Sequence, residues 1–165
     1  FSREDTLSVG ICNGCQLCME LDLINPEHER HGKMIYNNSK KHESSFTSVT
    51  IQKNNSVMLS SLEGSTLGVW ISHGEGKFNL PHNEEDYYIV ARYGYVSYPA
   101  NSHGSDFNTA MLCDVTGRHL VTMPHIERSI FPWNWANYPI KTNHKVTPWI
   151  EAFINARLWI EKKSM

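Results

Sequence analysis

The chain has 165 residues, of which 40% are hydrophobic, and a formal net charge of −2. This length allows one hydrophobic core, and we expect one domain. The near-neutral charge gives no reason to expect a nucleic acid or an anionic membrane surface as a partner, and no apolar run is long enough to cross a bilayer. The first five residues are not followed by an apolar h-region of the kind found in a signal peptide. Because the first residue is not Met, we expect a processed product or part of a longer chain.

The predicted elements begin with a strand, a tight turn and a helix. Thr6–Cys12 is an apolar run that ends in glycine-rich sequence, which predicts a buried strand. Gly14–Ile24 carries apolar side chains among good helix formers and precedes Pro26, which predicts a helix that stops before the proline. Residues 26–45 are polar and basic, and we expect a loop there with one short strand near Met34–Tyr36.

The rest of the chain alternates in a way that is typical of strands, and it ends in a helix. We expect strands at Phe46–Thr50, Leu67–Gly74 and Tyr87–Tyr93, a hairpin from Ala110–Val115 and His119–Met123, and a helix from Pro148 to Lys162. A strand–turn–helix unit at the start indicates an α/β sheet with some parallel pairing. The first strand begins at residue 6, so we expect its other sheet neighbours to come from elsewhere.

Gly10-Ile11-Cys12-Asn13-Gly14 has the form of a nucleophile elbow, in which a reactive residue sits on a strained turn between a strand and a helix. Small flanking residues suit the close backbone approaches in such a turn. The helix N-terminus favours a thiolate at Cys12, and the backbone N–H of Asn13 is placed to bind an oxyanion.

The cysteines also allow other interpretations. Cys12, Cys15 and Cys18 fall close together, whereas Cys113 is remote. Cys12 also suits a buried structural role, and Cys15 and Cys18 suit a helix face in the core. The Cys12-x-x-Cys15 spacing matches a thioredoxin-like or zinc pair, although a zinc site needs a second pair. A chain of this length does not need disulfides, so we expect free thiols, a reducing compartment and a cytosolic location.

A thiol nucleophile needs a base, and the base needs an orienting group. An apolar strand leads into Pro124-His125, and Glu127 lies two residues further on, which makes His125 and Glu127 one candidate pair. His73 and Glu75, which also follow a strand, form a rival pair that the pattern alone does not separate from the first. We predict that the remaining histidines are solvated: His28, His31, His42, His82, His103, His119 and His144.

Four segments together resemble one family. They are Gly10–Gln16, Ser72-His73-Gly74-Glu75-Gly76, Tyr98–Ser105 and Met123-Pro124-His125-Ile126-Glu127-Arg128. In content, order and spacing they resemble the class I (triad-type) glutamine amidotransferases, and more narrowly the C-terminal glutaminase domains of phosphoribosylformylglycinamidine synthases. The resemblance covers nearly the whole chain. It departs from the family pattern at Ile126, where proline is usual.

The resemblance implies a fold and a site. It implies a class I amidotransferase-like (flavodoxin-like) α/β sheet with flanking helices, in which residues 1–165 form the C-terminal portion of the glutaminase domain of a much larger chain. It selects Cys12 as nucleophile, with His125 and Glu127 completing the triad and Asn13 in the oxyanion hole. It implies that the wall around glutamine is formed by Gln16, Ser72, His73, Gly74 and Glu75.

The resemblance also implies a chemistry: glutamine hydrolysis supplies ammonia for the ATP-dependent conversion of formylglycinamide ribonucleotide to formylglycinamidine ribonucleotide in purine biosynthesis. L-Glutamine and the synthase domain of the same polypeptide are the implied partners. We expect no cofactor in this chain, with ATP and Mg²⁺ bound in the synthase region. In the family an earlier segment completes the oxyanion hole, so we expect little activity from this chain alone. Another cysteine amidase or peptidase, and a cysteine-rich redox or metal module, are the alternatives.

Overall fold

The structure, a computed structural model, describes residues 1–139 and 143–163. This part of the chain forms eight strands and two α-helices. The strands are β1 Ser8–Ile11, β2 Lys33–Ile35, β3 Glu43–Ile51, β4 Thr66–His73, β5 Lys77–Asn79, β6 Tyr88–Tyr93, β7 Thr109–Cys113 and β8 His119–Thr122, and the helices are α1 Asn13–Glu20 and α2 Ile150–Lys163. No helix in these residues is long and apolar enough to cross a membrane.

Six strands form one sheet in the order β1-β8-β7-β6-β3-β4, and β2 pairs with β5 in a second sheet. β1 and β8 run parallel, and every other pairing in the described residues is antiparallel. The register places Ile11 beside Thr122, so the residues that follow these two strands emerge at the same end of the sheet. The predicted parallel pairing is confirmed.

The core consists of two apolar clusters. The larger one contains Val49, Val69 and Ile71 from β3 and β4 together with Trp149, just before α2, and Ala152 in the first turn of α2. In β4 buried residues alternate with partly exposed ones, as expected of a strand with one face in the core. The indole Nε1 of Trp149 donates a hydrogen bond to the Gly68 carbonyl at 2.8 Å and so ties α2 to β4.

The smaller cluster lies beneath the first helix. α1 contributes the buried Cys15 and Met19, and β8 contributes Val121. Because α1 follows directly from β1 and packs on the same part of the sheet, this cluster fixes the angle at which the chain turns after Ile11. The apolar contacts of this cluster therefore hold the turn that carries Cys12 in place.

The structure confirms the predicted strands, the hairpin and the C-terminal helix, but the first helix is shorter than predicted. α1 ends at Glu20 rather than Ile24, because Asp22 adopts a left-handed conformation with φ 55°. The Asp22 N–H donates to the Met19 carbonyl and the Leu23 N–H donates to the Cys18 carbonyl. These two bonds form the Schellman motif, which satisfies the last carbonyls of a helix and ends it.

Candidate active site

Cys12 lies on the turn between β1 and α1, with φ 52° and ψ −104°. Residues with a side chain rarely adopt such a positive φ, and it costs on the order of 1–3 kcal/mol. The surrounding structure holds the turn: the Cys12 N–H donates to the Thr122 carbonyl at 2.8 Å. A Cβ on Gly10 would lie 2.7 Å from the Gly14 carbonyl oxygen, so the strand before the turn needs glycine there. At Gly14 a Cβ would meet no described atom within 4 Å, so the expected need for a small residue is wrong at this second glycine, although its carbonyl makes the close approach to Gly10.

His125 and Glu127 follow β8, the strand beside β1. The His125 N–H donates to the Trp70 carbonyl at 2.7 Å, which fixes the backbone between the ends of β8 and β4. Glu127 lies in a short 3₁₀ turn, Ile126–Arg128. Its Oε1 is 2.6 Å from His125 Nδ1. The turn after the strand thus folds the carboxylate back on the imidazole.

The electrostatics of this pair favour an imidazolium. Interaction with the Cys12 side chain and the hydrogen bond that Nδ1 donates to Glu127 raise the pKa of His125 to about 9, against the opposing effect of burial. Burial works to raise the pKa of Glu127, but the hydrogen bond from His125 and the charges of His125 and Arg128 lower it overall. A protonated His125 beside an ionised Glu127 is therefore the state near neutral pH.

The Cys12 thiol and the His125 imidazole lie close together, but no hydrogen bond joins them. Cys12 Sγ donates to the Ser72 carbonyl at 3.5 Å, while His125 Nε2 is buried and has no hydrogen-bond partner in the described residues. Interaction with the Cys12 side chain is nevertheless the largest of the effects that raise the pKa of His125. Catalytic hydrogen bonds are often long or poorly aligned until substrate binds, and this geometry fits that pattern.

Asn13 is the first residue of α1, and no side chain caps this helix. The N–H groups of a first helical turn have no partner within the helix. They point out of the N-terminus, which also carries the positive end of the helix dipole. The Asn13 backbone is therefore placed to donate to a negative oxygen formed next to Cys12.

The predicted substrate residues fall on two sides of the thiol. Gln16 Nε2 donates to the Glu75 carbonyl at 2.9 Å. A cavity of about 310 Å³ is lined by Asn13, Gln16, Leu17, Glu20, Met34 and Glu75. Ser72 and Glu127 instead line a more open cavity of about 660 Å³. The Ser72 carbonyl also accepts from Cys12 Sγ, so this residue joins the larger cavity to the thiol.

His73, the rival base, is buried and neutral. Burial, followed by the charges of His42 and His125, lowers the pKa of His73 to about 4. Its Nδ1 is 3.2 Å from Asn37 Oδ1, and its ring lies edge-on to His103 with 4.7 Å between the centroids. Neither ring nitrogen bonds to Cys12. Gly74 contributes through its backbone carbonyl, which accepts from the Asn37 N–H at 2.9 Å.

Sequence reasoning missed the burial or the contacts of several polar residues. His103 and His119 are buried, so the prediction that they are solvated is wrong. His42 is exposed, but its Nε2 lies 3.1 Å from Ser72 Oγ at the rim of the larger cavity. Asn37 lies in the segment predicted as a polar loop and is 1% exposed. Because Asn37 lies two residues after a short strand, no apolar periodicity in the sequence predicted its burial.

The other cysteines lie away from this chemistry. Cys15 is fully buried, and burial raises the pKa of its thiol well above the usual value, as it does less strongly for Cys18. Burial raises the pKa of Cys113 to about 12. Within residues 1–139 and 143–163 no group of three or more His, Cys, Asp or Glu side chains is arranged to hold a metal ion.

Fold and site together define a class: an α/β domain with a cysteine on an elbow, beside a His–Glu pair that follows the neighbouring strand. The chain belongs to the family described as the CobB/CobQ-like glutamine amidotransferase domain, which matches residues 1–160. The predicted family and amidotransferase-like α/β fold are confirmed.

Among curated proteins, the chain is 39% identical over 183 residues to the probable phosphoribosylformylglycinamidine synthase, chloroplastic/mitochondrial, of Arabidopsis thaliana. It is 36% identical over 185 residues to the human phosphoribosylformylglycinamidine synthase. These matches cover 98% and 95% of this chain, but only 13% and 14% of the two relatives.

Solved structures show the same fold. PurLQS of Thermotoga maritima has a TM-score of 0.71 at 21% identity, over 93% of this chain and 62% of that one. A Thermoplasma acidophilum protein described as a putative GMP synthase subunit has a TM-score of 0.55 at 14% identity, over 94% of this chain and 58% of that one.

Proposed function

We propose that this chain is the glutaminase part of a phosphoribosylformylglycinamidine synthase and hydrolyses glutamine to glutamate and ammonia. One observation carries the proposal: the parallel pairing of β1 with β8 brings Cys12 to the same sheet end as a His125–Glu127 pair with a 2.6 Å hydrogen bond. The similarity to synthases from plants and animals supports this particular enzyme. Since the chain spans only 13–14% of those relatives, the activity of the whole protein is part of the proposal.

The reaction is an acyl transfer in two halves. The Cys12 thiolate attacks the carboxamide carbon of glutamine, and the Asn13 N–H stabilises the resulting oxyanion. His125, protonated near neutral pH because of its raised pKa, gives its proton to the leaving nitrogen. The C–N bond then breaks, ammonia departs, and a thioester to Cys12 remains.

Water completes the cycle. The neutral His125 takes a proton from a water molecule, whose oxygen adds to the thioester carbonyl. Glutamate is released when the C–S bond breaks, and Cys12 and His125 return as thiolate and imidazolium. Glu127 orients the imidazole throughout through its bond to Nδ1, while Gln16, Ser72, His73, Gly74 and Glu75 form the wall around the substrate.

We further propose that the ammonia passes to a synthase domain of the same polypeptide, of which residues 1–165 contribute the C-terminal portion of the glutaminase domain. ATP and Mg²⁺ would act in that synthase domain, where ammonia is joined to formylglycinamide ribonucleotide. Four free cysteines support a reducing, cytosolic compartment.

Selective alkylation tests the assignment of Cys12. We expect a glutamine-like chloroketone to modify one cysteine, Cys12, and we expect free glutamine to slow the modification. Cys12→Ser should abolish the labelling, whereas Cys18→Ser, which changes a partly buried cysteine of the same helix region, should retain it. Mass spectrometry of peptides locates the label. Labelling at Cys18, or labelling that glutamine does not slow, would contradict the proposal.

A further inference from the structure

Asn37 makes an unusual number of hydrogen bonds to one short segment. Its Oδ1 accepts from the Gly76 N–H at 2.9 Å and lies 3.2 Å from His73 Nδ1. Its Nδ2 donates to the His73 carbonyl at 2.7 Å and to the Lys41 carbonyl at 2.9 Å. Its own N–H donates to the Gly74 carbonyl at 2.9 Å. One buried residue thus contacts three of the four residues in the segment 73–76.

The segment that Asn37 holds connects both halves of the proposed site. Just before it, the Ser72 carbonyl accepts from Cys12 Sγ. Within it, the Glu75 carbonyl accepts from Gln16 Nε2 at 2.9 Å. A displacement of residues 73–76 would therefore move a contact of the nucleophile and a wall of the smaller cavity together.

The chemistry of the position suits asparagine. A carboxamide offers two donors and an acceptor oxygen with two lone pairs, and here both acceptor sites and both donors are used. The bonds from Gly76 and to the two carbonyls fix which end of the carboxamide is oxygen. Nδ1 of His73 must then carry the proton, which agrees with a neutral ring.

The packing around residues 73–76 leaves this segment little room to adopt another conformation. A Cβ on Gly76 would lie 2.0 Å from the His73 ring, so ring and backbone are in close contact. The His73 ring also packs edge-on against His103. We call these contacts the Asn37 clamp: the hydrogen bonds of Asn37 hold residues 73–76, and the His103 ring packs against the His73 ring.

We propose that Asn37 is a positioning residue of the glutaminase site, which holds residues 73–76 so that glutamine's amino-acid end is recognised beside Cys12. This inference rests on the proposed function for the identity of the substrate. It predicts that loss of Asn37 weakens substrate recognition more than it changes the thiol itself.

The test compares two alkylating agents on the 165-residue chain. The chloroketone carries glutamine's amino-acid end, whereas iodoacetamide does not. In Asn37→Ser we expect the chloroketone concentration for half-maximal labelling rate to rise about tenfold, since several hydrogen bonds are lost. The rate of iodoacetamide labelling of Cys12 should change much less than this. Asn38→Ser is the matched control, because Asn38 is the exposed neighbour of the same type.

Amide hydrogen exchange provides a readout that does not depend on glutamine. The Gly76 amide should exchange slowly in the wild-type chain and at least about tenfold faster in Asn37→Ser, because its acceptor is lost, while the amides of β1 and β8 keep their protection. If Asn37→Ser does not fold, Gly76→Ala disturbs the same clamp with Asn37 intact, and it should raise the half-maximal chloroketone concentration in the same way.

Each outcome decides one proposal. An Asn37→Ser chain that labels with the same half-maximal concentration as wild type and Asn38→Ser would overturn the role of Asn37. A wild-type chain that shows no preference for the chloroketone would instead overturn the glutamine site. In that case unchanged Gly76 exchange in Asn37→Ser would overturn the clamp as well, and faster exchange would support it.

Discussion

His125 is held between two groups that favour its protonated form, the Cys12 side chain and the Glu127 carboxylate. The residue is buried, yet its pKa is raised to about 9 because these two interactions outweigh desolvation. A buried imidazolium with such partners suits a proton donor to a leaving group. At the scale of single residues, we therefore expect the proposed chemistry to depend on the His125–Glu127 pair as well as on the position of the thiol.

Replacing Glu127 should expose that dependence. In Glu127→Gln we expect the pKa of His125 to fall from about 9 towards its usual 6.5, because the hydrogen bond to a carboxylate and its negative charge are both lost. The ring protons of His125, followed by NMR through a pH titration, measure the change. A titration midpoint that stays near 9 would show that Cys12 alone sets the pKa.

The same pair makes stability depend on pH. Since the pKa of His125 is higher in the folded chain than in the unfolded one, its contribution is complete below about pH 6.5 and is lost as the pH rises through about 9. Urea unfolding at about pH 6 and about pH 9.5 should therefore show a larger loss of stability in wild type than in Glu127→Gln. Equal losses would mean that the ion pair does not stabilise the fold.

At the scale of elements, Gly10 and Gly14 flank Cys12 at the same spacing in the motif, but their surroundings in the turn between β1 and α1 differ. In Gly10→Ala the new Cβ would meet the Gly14 carbonyl at 2.7 Å, whereas in Gly14→Ala it would meet nothing within 4 Å. We expect Gly10→Ala to lower the free energy of unfolding by about 1–3 kcal/mol through overpacking. Gly14→Ala should be neutral or gain up to about 1 kcal/mol from helix propensity.

Urea denaturation of the two variants side by side measures this difference. Each is the other's control, because both add one methyl group to a glycine of the same turn. Equal destabilisation would show that the turn does not tolerate a methyl group at Gly14, although the surroundings leave space for one. A stable Gly10→Ala would show that the strand and the helix separate easily.

At the scale of the whole molecule, β1 is at the edge of the sheet and has β8 as its one strand neighbour in the described residues. In the proposed site the Asn13 N–H is one backbone donor for the oxyanion. The family resemblance implies a further donor from an earlier segment. Removing one oxyanion donor typically lowers the rate about 10²–10³-fold.

We therefore expect the 165-residue chain to hydrolyse glutamine very slowly by itself, although Cys12 reacts with the chloroketone. Glutamate release, measured for this chain and for a complete synthase under the same conditions, checks the prediction. A chain that turns over glutamine as fast as the complete enzyme would show that these residues already supply the full site.

The sequence by itself determined the local order of the site. Strand, cysteine and helix follow each other within residues 6–24, and His125 and Glu127 are two residues apart, so their pattern reflects short-range geometry. It also predicted most strands and the helix after Pro148, because apolar periodicity reports which face is buried. The end of α1 was missed, since an aspartate rather than a glycine closes the helix at Asp22.

Only the tertiary structure decided which distant residues support this site. Cys12 meets a carbonyl 60 residues away, and Asn37 binds a segment 36 residues further along the chain. His73 and His103 become buried and neutral because they pack against each other, and the pKa of His125 is set in part by a thiol that follows another strand. Such burial and pairing arise when the sheet assembles, so no local pattern of residues carries them.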